Sequence, residues 1–120
     1  MSGFNEYEYI LSALADKRGE DIAALDLGEQ GTFSDVFILA TGNSEVHMRT
    51  LMDAAGEAMS RRGLQVRAEG EESANWRLLD GGAVTVHVFS RKGREFYKLE
   101  KLWDGAEVLR YETRVQEGRQ

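Results

Sequence analysis

The 120-residue sequence contains no cysteine, which excludes disulfides, thiolate catalysis and sulfur-bound zinc and leaves packing alone to hold the fold. It also lacks a long apolar run, since the longest uninterrupted one, residues 36–40, is far too short to cross a bilayer. The N-terminal segment MSGFNEYEY lacks the basic region that opens a signal peptide. These absences predict a cytoplasmic protein with no membrane association.

Positive charge is scarce as well. The chain has 15 Lys and Arg against 21 Asp and Glu, a formal net charge of -6. The positive side chains are interspersed with acids except at the pairs Arg61-Arg62 and Arg91-Lys92. Phosphate backbones are bound through clustered Lys and Arg, so the composition disfavours direct nucleic-acid binding. It favours a basic protein partner, because complementary charge speeds association and sets orientation.

What the sequence does contain is typical of one globular domain, with 42% apolar and 30% charged residues. Helical and strand patterns alternate along the chain and predict an α/β fold, a mixed central sheet flanked by helices. We expect the domain to span residues 1–104. Residues 105–120 are expected to be a C-terminal extension that either adds a short edge strand or frays.

Three segments carry apolar residues at helical spacing, within residues 5–18, 41–63 and 90–103. The candidate N-caps are Asn5 for the first segment, Asn43 or Ser44 for the second and Ser90 for the third. The expected core positions are Tyr7, Ile10, Leu11 and Leu14, then Met48, Leu51, Met52, Ala55 and Met59, and finally Phe96, Leu99, Leu102 and Trp103.

The remaining apolar segments have the spacing of strands. The run 33–40 is apolar, β-branched and aromatic, and predicts the central strand, buried on both faces. Residues 21–27 predict another strand, and 64–68 alternate as a half-buried strand should. The strongest signal is a hairpin that joins 76–80 to 83–89 through Gly81-Gly82, because two glycines accept the positive φ angles of a tight turn.

A turn at Gly81-Gly82 places Trp76 opposite His87 and sorts the hairpin into two faces by alternation. One face is predicted to join the core and carries Leu79, Val84, Val86 and Val88. The other carries Trp76, Leu78, Asp80, Thr85, His87 and Phe89. This second face is too apolar for ordinary exposure and too polar for a core, so we expect a helix of the same domain or a partner to cover it.

Trp76 itself has two interpretations. It could pack under the C-terminal helix beside Phe96 and Leu99, or it could anchor an interface, since tryptophan contributes disproportionately to binding energy. Acidic residues surround it in the sequence and would supply a negative rim, namely Glu69, Glu71, Glu72 and Asp80. The second interpretation therefore expects a basic partner.

Signals for catalysis are weak. His47 and His87 are the only histidines, and no spacing brings them together with a further ligand, so we expect no metal. Ser44 and His47 imitate a nucleophile and base, but no orienting third group is visible and a capping role explains Ser44 better. Phosphoryl transfer needs paired carboxylates on a strand, and Asp35 has no such neighbour. We predict that the protein is not an enzyme.

Three separated motifs resemble the ribosomal silencing factor family, RsfS, also called Iojap-related proteins. They are SDVFILATGNSEVHMRTLMDAA at 34–55, EGEESANWRLLDGGAVTVHVF at 69–89 and REFYKLEKLW at 94–103. The resemblance implies a nucleotidyltransferase-like fold without the catalytic residues, a homodimer when free, and no cofactor. It further implies binding to the large ribosomal subunit through ribosomal protein L-fourteen, which blocks joining of the small subunit when nutrients are short.

Carried over residue by residue, the resemblance assigns the ribosomal contact to Glu69, Gly70, Ser73, Trp76, Leu78 and Asp80. His87, Tyr97 and Trp103 match family positions whose role the sequence does not separate from folding. Two departures stand out: Val36 replaces a usual aromatic residue, and Ala83 replaces a usual acid and so weakens the negative rim. The alternatives are a nucleotidyltransferase-like enzyme, suggested by the small-residue loop TGNS at 41–44, and an rRNA-binding assembly factor.

Overall fold

The computed structural model describes residues 6–26, 36–97 and 107–111. Over these ranges the chain forms a mixed α/β structure, as predicted. Its helices are α1 (Glu8–Asp16), α2 (Glu45–Arg61) and α3 (Arg91–Tyr97). Its strands are β1 (Glu20–Asp26), β2 (Val36–Gly42), β3 (Arg67–Glu69), β4 (Trp76–Asp80), β5 (Val84–Ser90) and β6 (Glu107–Arg110).

The strands form one six-stranded sheet in the order β3-β4-β5-β2-β1-β6. β2 and β5 are parallel neighbours, and every other pair is antiparallel. The predicted central strand is confirmed: β2 lies inside the sheet and is buried on both faces, although it runs on to Gly42 and its predicted first residues, 33–35, lie outside the described residues. β6 pairs with β1 at one edge, while the predicted domain boundary at 104 lies outside the described residues.

Helices α1 and α2 cover one face of the sheet and enclose the main core. α2 begins at the N-cap Ser44, whose Oγ accepts a hydrogen bond from the backbone N–H of His47 at 3.0 Å. α1 follows Tyr7, and the predicted cap Asn5 lies outside the described residues. The expected core positions of both helices are buried and pack against Leu79, Val84, Val86 and Val88 of the hairpin. The face assignment of the hairpin is therefore confirmed.

The register of the hairpin differs from the prediction by two residues. Trp76 lies opposite Phe89 rather than His87, and His87 lies opposite Leu78. The cause is that the backbone N–H of Gly81 bonds to the carbonyl of Val84 at 2.9 Å, so the two central turn residues are Gly82 and Ala83. Only one positive φ is needed, at Gly82 (φ 93°). Because side chains alternate with a period of two, this shift leaves every residue on its predicted face.

Two other predictions are corrected. The prediction of a half-buried strand at 64–68 is wrong, because β3 spans Arg67–Glu69 and is exposed. The apolar Leu64 and Val66 lie in the preceding loop and pack against the core from there. The third helix does begin after the cap Ser90, whose Oγ accepts from the N–H of Gly93 at 2.9 Å. The prediction that Phe96 of this helix joins the core is wrong, since its side chain is 76% exposed. The buried face of α3 carries Gly93 and Arg94 instead. The other expected core residues, Leu99, Leu102 and Trp103, lie outside the described residues.

Candidate functional site

The sheet face opposite α1 and α2 carries a cluster of rings. Phe37 comes from β2, Trp76 from β4, and His87 and Phe89 from β5. We call this the aromatic face. At its base lie Leu25, Leu39 and Phe89, which are fully buried, with Phe37 and Trp76 partly buried against them. The second face of the hairpin was predicted to be of mixed polarity. It contains a second, smaller core of buried residues, and the partly buried Phe37 and Trp76 pack against this core.

Trp76 is half-buried on this face. Its ring stacks on Phe89 with the centroids 5.5 Å apart, and it lies 5.9 Å from the ring of His87. Its indole N–H donates a hydrogen bond to Nδ1 of His87 at 3.0 Å. Of the two residues expected to cover Trp76 in the packed interpretation, Phe96 is largely exposed and Leu99 lies outside the described residues. The indole rests against the aromatic rings of the sheet and keeps part of its surface accessible.

A tight turn leads the chain into β4. Gly70 accepts a hydrogen bond from the N–H of Ser73 at 2.9 Å, which leaves Glu71 and Glu72 exposed at the tip. Gly70 has φ 74°, and an added Cβ there would lie 2.9 Å from the carbonyl oxygen of Trp76. Ser73 Oγ accepts from the N–H of Trp76 at 3.2 Å. Gly70 and Ser73 thus shape the backbone that presents the indole.

Next to His87, which bonds to the Trp76 indole, lies an open cleft of about 450 Å³. Glu69, Leu78 and Asp80, three of the predicted contact residues, line it from β3 and β4. Phe37, Thr85 and His87 line it from β2 and β5. Glu69 is exposed and Asp80 is half-buried, with Asp80 Oδ1 accepting from the N–H of Gly82 at 2.9 Å. The cleft therefore combines an apolar floor with a carboxylate rim, which suits a ligand that is cationic at one end.

His87 is the titratable group most affected by this environment. It is 4% exposed, and its burial lowers the pKa from 6.5 to about 4, because the charged form would lose its hydration. The ring is therefore neutral at pH 7. Its Nδ1 accepts from Trp76, whereas its Nε2 is buried and has no hydrogen-bond partner in the described part of the chain.

The predicted contact residues fall into two groups. Trp76, Leu78 and Asp80 occupy alternate positions of β4 and therefore share the aromatic face. Glu69 of β3 pairs with Leu78. Gly70 and Ser73 belong to the turn instead. Sequence reasoning missed Phe37, because its place beside His87 depends on the parallel pairing of β2 with β5, which are far apart in the chain.

The TGNS loop, which suggested a nucleotidyltransferase-like enzyme, makes internal contacts. The N–H of Asn43 donates to Nδ1 of His47 at 2.9 Å, and Nε2 of the same ring lies 2.8 Å from the carbonyl oxygen of Lys17. Position 42 requires glycine for steric reasons, because an added Cβ would lie 2.9 Å from the backbone nitrogen of Met48. The capping role predicted for Ser44 is confirmed, and the His47 ring joins the end of α1 to the start of α2.

Within residues 6–26, 36–97 and 107–111, we find no cluster of three or more His, Asp or Glu side chains placed to hold a metal ion. Asp35, the one carboxylate considered for phosphoryl transfer, lies outside these ranges. Over the same ranges, no helix has the length and apolar character required to traverse a membrane.

Several known proteins that are similar to this chain are described as ribosomal silencing factors. The sequence model of the family described as "Ribosomal silencing factor during starvation" matches residues 4–120. The ribosomal silencing factor RsfS of Bacillus subtilis is 40% identical over 96 residues, which cover 79% of this chain and 81% of that protein. RsfS of Halalkalibacterium halodurans is 34% identical over 113 residues, covering 93% and 97%. A crystal structure from Chromobacterium violaceum matches with a TM-score of 0.79 at 31% identity, covering 89% of this chain and 90% of that one.

Proposed function

The chain belongs to the ribosomal silencing factor family, and on that premise we propose how it acts. It binds the large ribosomal subunit through ribosomal protein L-fourteen and stands where the small subunit must dock. Joining of the two subunits is thereby prevented and translation falls when nutrients are limiting. The protein acts in the cytoplasm, and when free it is a homodimer. The family itself gives the coarser statement, a role in silencing ribosomes.

One observation carries the proposed contact: the half-buried Trp76 indole is bonded to His87, and His87 lines a cleft that also has the carboxylates Glu69 and Asp80 in its wall. A half-buried tryptophan next to an apolar floor is the kind of anchor that dominates the energy of an interface. The carboxylates Glu69 and Asp80 add negative charge to this cleft, whereas Glu71 lines a separate cleft with Arg49, Asp53 and Arg77. This surface favours a partner that offers a basic side chain next to an apolar one.

The proposed mechanism requires no chemical step. A domain bound at the subunit interface occupies volume that the other subunit needs, so inhibition depends only on occupancy. Interfaces of ordinary size, about 1,600 Å² in total, range from micromolar to picomolar affinity according to the quality of their anchors. The extent of silencing is therefore set by the Trp76 contact and by the concentration of the protein.

Co-sedimentation of the full chain with purified large subunits tests the contact. Trp76→Ala is expected to weaken binding by about 30-fold, the effect of losing roughly 2 kcal/mol at an anchor. Far-UV circular dichroism and urea unfolding check that the variant is folded. Wild-type binding by a folded Trp76→Ala protein would contradict the proposed surface.

Charge provides a matched comparison. Glu69→Gln and Asp80→Asn should each slow association with isolated L-fourteen, most strongly at low salt. Glu57→Gln is the control, because Glu57 is an exposed carboxylate, as Glu69 is, but lies on α2, across the sheet from the cleft. Equal effects of all three changes would indicate net charge alone. Tight, salt-dependent binding to naked rRNA would favour the assembly-factor alternative instead.

The block itself needs a separate assay. When large and small subunits are mixed, increasing wild-type protein should reduce the joined particle on a sucrose gradient, and Trp76→Ala should not. Binding to large subunits with normal joining would disprove the steric mechanism. Sedimentation equilibrium of the free protein tests the dimer.

A further inference from the structure

The hydrogen bond from Trp76 to His87 fixes the protonation of the imidazole. An indole N–H can only donate, so Nδ1 of His87 must be the bare acceptor, and the single proton of the neutral ring must be on Nε2. The Nε2–H group is buried and has no acceptor in the described part of the chain. The one accepting nitrogen of His87 therefore bonds to the indole, and the described residues offer no acceptor to its Nε2–H donor.

The same imidazole is held between the rings of Phe37 and Phe89. Phe37 contacts it with ring centroids 4.6 Å apart, and Phe89 lies 6.3 Å away with the two rings nearly parallel, at 14°. Its backbone pairs with β2 on one side and β4 on the other, in the interior of the sheet. A side chain with so little freedom is a rigid reference point for anything bonded to it.

Stacking alone does not fix the indole. The contact between Trp76 and Phe89, 5.5 Å and 26°, sets the plane of the ring but allows it to slide and turn within that plane. The bond to Nδ1 removes this freedom because it is directional. Since Trp76 is only half-buried, water could satisfy the indole N–H in other orientations. The bond to His87 therefore selects one orientation of the indole, and it is not required to satisfy a fully buried N–H group.

A phenylalanine in place of His87 would keep an aromatic ring in this cluster and would bury no N–H donor, whereas the Nε2–H of His87 has no acceptor among the described residues. The presence of histidine therefore indicates a role that needs the accepting nitrogen. The only acceptor role that the described residues show for it is the bond to Trp76.

We propose that His87 is a positioning residue for partner binding: it holds the Trp76 indole in its docking orientation before the partner arrives. This role rests on the proposed function of the Trp76 surface. Ordering a free side chain on association weakens binding by roughly 2- to 12-fold, and an indole already fixed by His87 avoids that loss.

A double-mutant cycle tests the proposal. His87→Phe keeps an aromatic ring between Phe37 and Phe89, removes the buried Nε2–H donor and frees the indole. It should fold with equal or greater resistance to urea, yet bind large subunits roughly 2- to 12-fold more weakly. In a Trp76→Phe background, which has no indole N–H, the same change at His87 should weaken binding no further.

Magnetic resonance gives a readout that a purely structural role would not move. The indole N–H of Trp76, identified by its loss in Trp76→Phe, should exchange slowly with solvent in the wild type and fast in His87→Phe. His87→Asn places an amide oxygen near the position of Nδ1 and should restore slow exchange and part of the binding. On the wild type alone, long-range proton–nitrogen spectra should show the Nε2–H tautomer.

The outcomes separate the two proposals. Wild-type binding by His87→Phe, an equal loss in the Trp76→Phe background, or an Nδ1–H tautomer would each overturn the positioning role. If Trp76→Ala binds as tightly as wild type, the proposed binding surface itself is wrong, whatever the exchange data show. If His87→Phe does not fold, the tautomer and the His87→Asn variant decide the question.

Discussion

The guanidinium of Arg77 on β4 reaches the carboxylate of Glu45 in the first turn of α2, with 3.3 Å between its terminal nitrogen and Oε2. The side chain of Arg77 is 4% exposed, whereas that of Glu45 is 69% exposed. Arg77 Nε also donates to the carbonyl of Ser73 at 2.7 Å. The buried Arg77 side chain therefore links the turn that precedes Trp76 to helix α2.

Arg77→Ala should lower the free energy of unfolding by about 2–3 kcal/mol, because two hydrogen bonds and a buried stem are lost. Glu45→Gln, at the exposed end of the same ion pair, should cost about 1 kcal/mol or less. Urea denaturation of both variants measures the difference. Equal costs would mean that the ion pair, and not the bond to Ser73 and the packing, is the important contact.

The free energy of unfolding should fall as the pH is lowered through the window set by His87. Its pKa is about 4 in the folded protein against 6.5 when unfolded, so between these values the unfolded state binds more protons. The contribution of neutral His87 to stability is fully present above about pH 6.5, decreases on acidification, and is lost once the pH falls below about 4. The shift corresponds to a loss on the order of 3 kcal/mol.

The control for this pH dependence is His87→Phe, which has no titrating group at that position. Carboxylates contribute to the acid limb of both proteins, so the difference between the two curves isolates His87. The curves should diverge below about pH 6.5. Parallel curves would show that His87 titrates normally and is not buried as described.

The cap of α2 offers a local test of stability. Ser44→Ala removes the Oγ that accepts from the N–H of His47, and should cost about 1 kcal/mol. Ser60→Ala is the matched control, because Ser60 is exposed near the end of the same helix and alanine is the better helix former. In thermal denaturation, Ser44→Ala should lower the melting temperature, whereas Ser60→Ala should leave it unchanged or raise it.

Two glycines should respond oppositely to alanine. At Gly93 of α3, a Cβ would overlap the backbone carbonyl of Asn75, the residue before Trp76, so Gly93→Ala should destabilise the protein and weaken binding to large subunits. At Gly56 of α2, a Cβ would meet only Leu79 Cδ1 at 3.7 Å, and Gly56→Ala should stabilise by about 0.5–1 kcal/mol. Denaturation of both variants, with binding measured on Gly93→Ala, checks the pair.

Sequence patterns predicted the elements with strong periodicity. The stripe Met48, Leu51, Met52, Ala55 and Met59 identified α2 and its buried side, because a helix repeats its face every three or four residues. Alternation along β4 and β5 likewise assigned the core face correctly. Patterns failed for the segment 64–68, where Leu64 and Val66 are drawn to the core from a loop and imitate an alternating strand.

The candidate site was predicted less completely than the elements. Grouping Trp76, Leu78, Asp80, His87 and Phe89 on one face required only alternation, and it was correct. The pairing of Trp76 with His87 across the strands was wrong, because hydrogen bonding at the turn, and not composition, sets the register. The contact of the six predicted residues with the ribosome stays a prediction.

The sequence by itself determined which residues form α1, α2 and the hairpin, and which face of each is buried, because these properties follow from local periodicity and from the aversion of apolar side chains to water. Only the tertiary structure decided that the indole N–H of Trp76 meets Nδ1 of His87, and that Phe37 closes the other side of the imidazole. Those contacts join β2, β4 and β5, which are distant in the chain, and a hydrogen bond depends on atomic positions that no local pattern specifies.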